Sequence, residues 1–435
     1  MDLFQASALL LTLAALFNYV NHRYLKIPTA IGIMVMGLGT SLVLLAIGQF
    51  VPAVFDMAAS VLSTIDFNKA LMNGMLGLLL FAGALHVDIG NLTAQKGVVA
   101  ILATVGVTVS TFLIGFAMYG LLAAVHLSIP LIHCLLFGAL ISPTDPIAVL
   151  GILKTVGAPR ELETKIAGES LFNDGVGVVI FLAMLGVAGL GTGGGHVTPA
   201  SVALLFIQEA FGGAAYGLLI GLIAYGLLRS VDDYQVEILI SLALVIGGYA
   251  LAQALHLSGP IAMVVAGLLI GNRGRALAMS AQTRQNLDMF WELVDEILNA
   301  VLFVLIGITV LVLPFQREYL LPALLAIPLT LAARCIAVAL PMSLMAMRRK
   351  FTPHAVKILT WGGLRGGISV ALALWLSELL GEEHAQSRGI ILAATYAVVV
   401  FSIVVQGLTI GPLLGRLGLV AGDDTPATTP GHTDN

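Results

Sequence analysis

The residues best suited to chemistry lie in one short stretch, GESLFND, at residues 168–174. The stretch falls within a hydrophobic run long enough to cross a bilayer, where a carboxylate is costly and marks a functional site by default. Because residues four apart share a helix face, Ser170 lies with Asp174 and Glu169 lies with Asn173. Asp174 with a hydroxyl one turn away offers oxygen ligands that suit a hard cation.

A single buried acid of this kind can couple two fluxes. Burial disfavours the charged carboxylate, so Asp174 is expected to take up a proton whenever no cation is bound. A group that holds either a proton or a cation, but not both, is enough to link their movements. The alternative is an acid held permanently in an ion pair, which is the interpretation we prefer for Glu169.

A second acid lies in the preceding apolar run, where ISPTDPIAV at 141–149 places Asp145 between two prolines. Pro143 and Pro146 lack an N–H, and each disfavours helical geometry in the residue before it, so the sequence predicts a helix break with free carbonyl oxygens. Asp145 would offset the positive end of a half-helix, and Arg365 would do the reverse for C-terminal carbonyls. The alternative is a proline kink whose acid reaches towards the membrane surface.

Two basic residues, Arg334 and Arg365, fall well inside the predicted spans, away from their ends. Glu169 needs a cationic partner at membrane depth, and we assign Arg334 to it. Removing one member of such a buried pair is strongly destabilising. We therefore predict that Glu169 and Arg334 form a structural ion pair that scaffolds the site.

Composition identifies the class of protein. Of 435 residues, 59% are hydrophobic and only 10% are charged, and the mean hydropathy is +1.01. A soluble domain of this size needs more charge, so we predict an all-α polytopic membrane protein embedded in a lipid bilayer. The net charge of −4 gives no argument for a nucleic-acid partner.

Hydropathy predicts 13 transmembrane helices. They lie at 3–20, 29–50, 68–87, 98–125, 130–153, 165–189, 201–228, 235–255, 258–271, 291–313, 319–346, 354–380 and 389–417. Of the 20 Lys and Arg residues, the 18 that lie outside these spans or near their ends divide into 15 on one side of the membrane and three on the other. Because positive charge favours the cytoplasmic side, the N-terminus is predicted outside and the C-terminus in the cytoplasm.

The spans divide into two halves with matching interruptions. Span 5 carries SPTDP, and span 12 carries WGGLRGG at 361–367. Paired interruptions at corresponding positions are a pointer to a transporter's binding site, and six spans to a half give the halves inverted orientations. The predicted domains are a first repeat at 1–189, a linker helix at 190–234, a second repeat at 235–420 and a disordered cytoplasmic tail at 421–435.

The order of these motifs resembles the monovalent cation:proton antiporter-1 family, the NhaP-type sodium/proton exchangers. SPTDP, GESLFND, a lone late arginine and GGLRGG match in order across essentially all 13 spans. The resemblance implies a homodimer with a mobile core, in which the broken helices of spans 5 and 12 cross beside span 6. It also implies that Asp174 binds the cation and the proton, with Ser170 and the Thr144 carbonyl as further Na⁺ ligands.

Two positions refine the resemblance. Asn173 stands where electrogenic relatives carry a second aspartate, which implies electroneutral exchange of one cation for one proton. We therefore place Asp145 and Asn173 beside Asp174 in the cation- and proton-binding group. Many relatives have an acid in the third-span pattern FEGGL, whereas this chain reads FAGAL with Ala82 there. An auxiliary ligand from that helix is not expected.

The resulting hypothesis is a secondary transporter, not an enzyme. It would exchange Na⁺, or Li⁺ or K⁺, for H⁺ by alternating access across the inner (plasma) membrane, with a role in pH homeostasis and without a cofactor. A sodium-coupled organic anion symporter is the first alternative, but it would need more polar residues around a larger cavity. An intramembrane aspartyl protease using Asp145 and Asp174 is a second, opposed by the flanking prolines, and a channel is a third.

Overall fold

The computed structural model describes residues 3–63, 70–190, 204, 207–312, 316–347 and 351–419. Within these ranges the chain is helical, and its β-type pairing is confined to one isolated bridge. The predicted all-α class is therefore confirmed for the described residues. The predicted tail at 421–435, Lys69, the cluster Arg348–Lys350 and residues 191–203 of the predicted linker lie outside them.

The α-helices are numbered here in chain order. The first nine are α1 (Leu3–Val20), α2 (Thr29–Gly48), α3 (Pro52–Ser63), α4 (Leu76–Leu85), α5 (Ile89–Ile101), α6 (Val107–Ala124), α7 (Leu131–Ile141), α8 (Ile147–Val156) and α9 (Arg160–Val187). They are followed by α10 (Gly213–Ser230), α11 (Tyr234–Ala254), α12 (Gly259–Leu269), α13 (Ala281–Thr309), α14 (Arg317–Ala346), α15 (Ala355–Trp361), α16 (Gly367–Leu380), α17 (Ala385–Phe401) and α18 (Gly407–Arg416).

Eight helical segments of the described chain are long and apolar enough to cross a membrane. They are Phe4–Leu25, Thr29–Gly48, Ile89–Ala124, Arg160–Val187, Gln208–Ser230, Tyr234–Ala254, Arg317–Ala346 and Glu382–Arg416. Ala70–Leu85, Leu131–Ile141 and Gly367–Leu380 are shorter apolar helices. Since a helix rises about 1.5 Å per residue, the 11 residues of α7 cover about half of a bilayer core. The count of 13 spans remains a prediction.

Two helices begin earlier than hydropathy predicts, because polar caps start them outside the apolar run. The span predicted at 291–313 belongs to α13, which begins after Ser280, whose Oγ accepts a hydrogen bond from the Thr283 amide at 3.3 Å. The span predicted at 98–125 is preceded by α5, where Asp88 Oδ1 accepts from the Gly90 amide at 2.6 Å. Side-chain caps of this kind satisfy the free N–H groups of a first turn. Helix α3 was not predicted at all.

The helix break expected from the two prolines is present. Helix α7 ends at Ile141 and α8 begins at Ile147, while a second break separates α15 from α16 between Trp361 and Gly367. The two interruptions meet, because the Asp145 amide donates a hydrogen bond to the Leu364 carbonyl at 2.8 Å. Two unwound segments thus satisfy each other's backbone within the protein, as non-helical backbone at membrane depth must.

Small residues allow the close approaches around this contact. A Cβ on Gly366 would lie 2.0 Å from Asp145 Oδ2, and a Cβ on Gly177 would lie 2.2 Å from Pro143 Cγ. Helix α9, which carries Gly177, is the most deeply buried of the eight candidate spans. The sequence therefore brings α9 directly against the first break.

Candidate ion-binding site

Asp174 lies on the wall of a large internal cavity. The cavity has a volume of about 910 Å³, and Asp145 also lines it. Asp174 is only 8% exposed. Other residues of the wall, among them Lys26, His86 and Glu292, are exposed, so the cavity is open to solvent at that end. Asp174 is therefore a largely buried acid that water and small ions can approach.

Three of the predicted site residues form a hydrogen-bonded cluster beside the first break. Asn173 Nδ2 donates to Thr144 Oγ1 at 2.8 Å, and the Thr144 amide donates to Asn173 Oδ1 at 3.3 Å. The Ser170 hydroxyl shares a hydrogen bond with Thr144 Oγ1 at 3.1 Å. All three residues are buried, and the cavity wall does not include them. Asn173 therefore replaces a helical partner for an amide of the unwound segment.

Glu169 is engaged by Arg334. Arg334 Nη1 donates to Glu169 Oε1, and Nη2 donates to the Leu359 carbonyl at 3.2 Å. Both side chains are buried. A Cβ on Gly363 would lie 2.7 Å from Arg334 Nε, so the guanidinium packs against the second break. The pair connects α9, α14 and the segment that follows α15.

Arg365 lies at the C-terminal end of the half-helix α7. Its Nη1 donates to the carbonyl oxygens of Ser142 and Pro143, and its amide donates to Ser402 Oγ at 2.9 Å. Terminal carbonyls carry negative partial charge, which a cation stabilises. Asp145 contacts Gly366, immediately before the N-terminus of α16. The basic side chain of Arg365 and the acidic side chain of Asp145 thus lie at half-helix ends of opposite polarity.

Sequence reasoning missed a polar face of α13 that lines the same cavity. This face carries Glu292, Asp295, Glu296 and Asn299. The spacing of three and four residues is the signal that could have found it, because residues so spaced share one side of a helix. The acids were overlooked because they precede the most apolar part of the helix.

Ala82 also lines the cavity and is 1% exposed. Its carbonyl oxygen lies 2.9 Å from His86 Nδ1. An alanine side chain carries no oxygen, so this position of α4 contributes no ligand from its side chain. The departure from the pattern FEGGL therefore falls on the cavity wall.

Comparison with protein families identifies the family to which the chain belongs. The family model described as "Sodium/hydrogen exchanger, transmembrane" matches residues 8–416. The chain belongs to this sodium/hydrogen exchanger family. Its members are transporters that act in membranes, so the exchanger is not an enzyme, and the protease hypothesis is excluded.

Curated relatives are similar along nearly the whole exchanger. The Na(+)/H(+) antiporter NhaP of Pseudomonas aeruginosa is 48% identical over 416 residues, which cover 94% of this chain and 96% of that protein. The Na(+)/H(+) antiporter NhaH of Halobacillus dabanensis is 35% identical, covering 92% and 94%. The resemblance inferred from the motifs is thereby confirmed.

A solved structure shares the fold. The exchanger aligns with the sodium proton antiporter MjNhaP1 from Methanocaldococcus jannaschii at a TM-score of 0.74 and 22% sequence identity. The alignment covers 97% of this chain and 100% of that one. The exchanger therefore shares its overall helical fold with this antiporter.

Proposed function

We propose that the exchanger moves one monovalent cation against one proton by alternating access, with both ions competing for Asp174. The observation that carries this proposal is the contrast between two buried acids on α9. Glu169 is bound by Arg334, whereas Asp174 lies on the cavity wall and pairs with no cation among the described residues. A carboxylate placed in this way binds a cation when it is ionised and a proton when it is not.

The names of the relatives point to Na⁺ as the substrate, since those with 48% and 35% identity are named Na(+)/H(+) antiporters. We propose that Asp174 binds Na⁺, with the Ser170 hydroxyl and the Thr144 carbonyl as further ligands. Ser170 now bonds to Thr144 Oγ1, so a change of its side-chain rotamer would accompany binding. Oxygen ligands of this type also suit Li⁺ and K⁺, so selectivity has to be measured.

Electroneutral exchange follows from the number of acids that are able to change charge. Asn173 is neutral, and its amide is committed in both directions to Thr144. Glu169 is neutralised by Arg334. Asp145 and Arg365 oppose the partial charges of the half-helix ends, which we propose as their role. Of the two buried acids on α9, Asp174 alone would then carry one positive charge in each direction.

The wider arrangement is also proposed. Two inverted six-helix repeats, at 1–189 and 235–420 around a linker helix at 190–234, would place the N-terminus outside and the C-terminus in the cytoplasm. The cavity would then open to the cytoplasm, since Lys26 and His86 lie on the side that carries most of the positive charge. A homodimer in the inner (plasma) membrane is expected.

The test is transport by the purified protein in liposomes that contain a pH-sensitive dye. An inward NaCl gradient should drive proton efflux, and choline chloride should not. KCl and LiCl gradients then establish selectivity. Proton movement that is identical with NaCl and choline chloride would refute the proposed exchange.

A further inference from the structure

Asn299 of α13 is a buried amide on the cavity wall that no part of the proposed mechanism uses. It is 6% exposed, and its Oδ1 is buried without a hydrogen-bond donor among the described residues. A buried carbonyl oxygen without a donor is costly, and such groups in native structures call for an explanation. Because Asn299 lines the cavity, a rotation of its side chain would present that oxygen to a ligand there.

The depth of Asp174 in the protein can be read from contacts of its own helix. Leu171 lies beside Gly83, near the end of α4, because a Cβ on Gly83 would lie 4.0 Å from Leu171 Cδ1. Six residues later, Gly177 lies against Pro143 at the first break. Asp174 precedes Gly177 by three residues and is therefore about one helical turn, or about 5 Å, from the level of the breaks.

The same measure applies to Asn299. The ring of Trp291 lies 4.7 Å from that of Phe81, in the middle of α4. Further along α13, Leu302 lies against Gly367 at the second break, where a Cβ on the glycine would lie 2.4 Å from Leu302 Cδ1. Asn299 precedes Leu302 by three residues. Asn299 is therefore, like Asp174, about one helical turn from a residue that contacts a break.

The two residues lie on different helices of the cavity wall. Helix α13 packs on α2, where Ser41 Oγ donates to the Gly307 carbonyl at 2.9 Å and a Cβ on Gly307 would lie 2.8 Å from the Gly37 Cα. Asp174 instead belongs to α9, which packs on the first break. Asn299 and Asp174 therefore line the same cavity from two different helices.

We propose that Asn299 is a cation-binding residue, and that its amide oxygen coordinates the transported Na⁺ together with Asp174. This inference rests on the exchange function proposed above and adds a specific ligand to it. A neutral oxygen replaces part of the ion's hydration shell without adding a charge, so it raises affinity and leaves the exchange ratio at one to one. Ala82 lines the same cavity but has no side-chain oxygen, so the amide of Asn299 offers a ligand that the Ala82 side chain does not.

The experiment compares wild type with Asn299→Ala and Asn299→Ser in liposomes, by titrating the initial exchange rate with NaCl. Asn18→Ala is the matched control, because Asn18 is an amide on the same cavity that is exposed. Asn299→Ala should raise the KM for Na⁺ about tenfold with a maximal rate within about twofold of wild type, the pattern of lost ground-state binding. Asn299→Ser, which keeps an oxygen, should lie between them, and Asn18→Ala should match wild type.

A KM within about twofold of wild type in well-folded Asn299→Ala would overturn the inference, as would a fall in maximal rate at unchanged KM. Should the alanine variant fail to fold, Asn299→Ser and Asn299→Gln decide, through the rise in melting temperature that NaCl produces over choline chloride. A rise equal to that of wild type in both would count against Asn299. Asp174→Asn is assayed in parallel, because activity in that variant would refute the shared site and inactivity would leave only the role of Asn299 in question.

Discussion

Arg334 Nη1 donates a hydrogen bond to Glu169 Oε1, and this contact distinguishes Glu169 from Asp174, which lies five residues later on α9. Glu169 is held in a buried ion pair, while Asp174 faces a cavity open to solvent. A buried carboxylate that is bound by a guanidinium already has its partner, whereas an acid on a cavity wall can exchange its partner. The different roles that we propose for the two residues rest on this contact.

Asp174→Asn should abolish Na⁺-driven proton movement while the protein still folds. The amide has nearly the shape of the carboxylate but neither binds a proton at working pH nor offers a negative charge. The measurement is dye-reported proton flux in liposomes, with size-exclusion elution as the folding check. Asp88→Asn is the matched control, because Asp88 is an exposed N-cap and asparagine caps equally well. Retained flux in Asp174→Asn would rule out the site.

Asn173→Asp should make exchange sensitive to membrane potential. The substitution adds a second acid beside Asp174 and removes the Nδ2 donor to Thr144 Oγ1. Transport is measured with potentials set by a potassium gradient and valinomycin, and wild type should respond little. If the variant is as insensitive as wild type, the charge count given above is wrong.

Arg334→Ala should destabilise the protein by about 3–5 kcal/mol, because Glu169 would be left buried without a partner. Thermal unfolding in detergent measures the change, and Glu169→Gln in the same background should restore part of the loss. Arg388→Ala is the comparison, since Arg388 pairs with an exposed glutamate, and such pairs contribute about 0–1 kcal/mol. Equal stability of the two alanine variants would contradict the scaffold role.

Gly366→Ala should reduce exchange about tenfold or more, because a misplaced site residue is costly for function. The new Cβ would lie 2.0 Å from Asp145 Oδ2 and would force the two breaks apart. Gly120→Ala is a control with the same chemical change, as its Cβ would meet no atom within 4 Å. Exchange rates in liposomes compare the two, and a Gly366→Ala rate equal to the control would show that the close contact is dispensable.

Lowering pH should raise the KM for Na⁺ by about tenfold per pH unit in the acidic range and leave the maximal rate unchanged. This slope follows from mass action when one proton and one cation bind the same carboxylate and exclude each other. Na⁺ titrations at several symmetrical pH values in liposomes measure it. A KM that does not change with pH while the maximal rate falls would indicate separate sites for the two ions.

Sequence predicted the features that local rules determine. The break before Asp145 follows from Pro143 and Pro146, because proline acts on its own turn of the chain. The face shared by Ser170 and Asp174 also follows from helical spacing, but spacing does not give the rotation of a helix relative to its neighbours. The sequence therefore could not show that Ser170 bonds to Thr144 while Asp174 reaches the cavity.

The contribution of α13 was missed for a related reason. Its polar face is visible as a pattern, but which helices bound the cavity depends on tertiary packing between segments far apart in the chain. Contacts such as Gly37 with Gly307, and Leu302 with Gly367, decide that packing. The sequence alone therefore could not show that Asn299 lies on the wall of the cavity that Asp174 also lines.

Two sets of hydrogen bonds link the broken helices to each other. The Asp145 amide donates to the Leu364 carbonyl, and Arg365 donates to two carbonyls of the first break. Bending either interrupted helix by itself would strand polar backbone in hydrocarbon. Sliding both as one rigid body keeps every one of these bonds intact. Reorientation of Asp174 between the two aqueous compartments is thus expected to occur as a concerted displacement of this interlocked pair, carrying α9 along, without internal refolding.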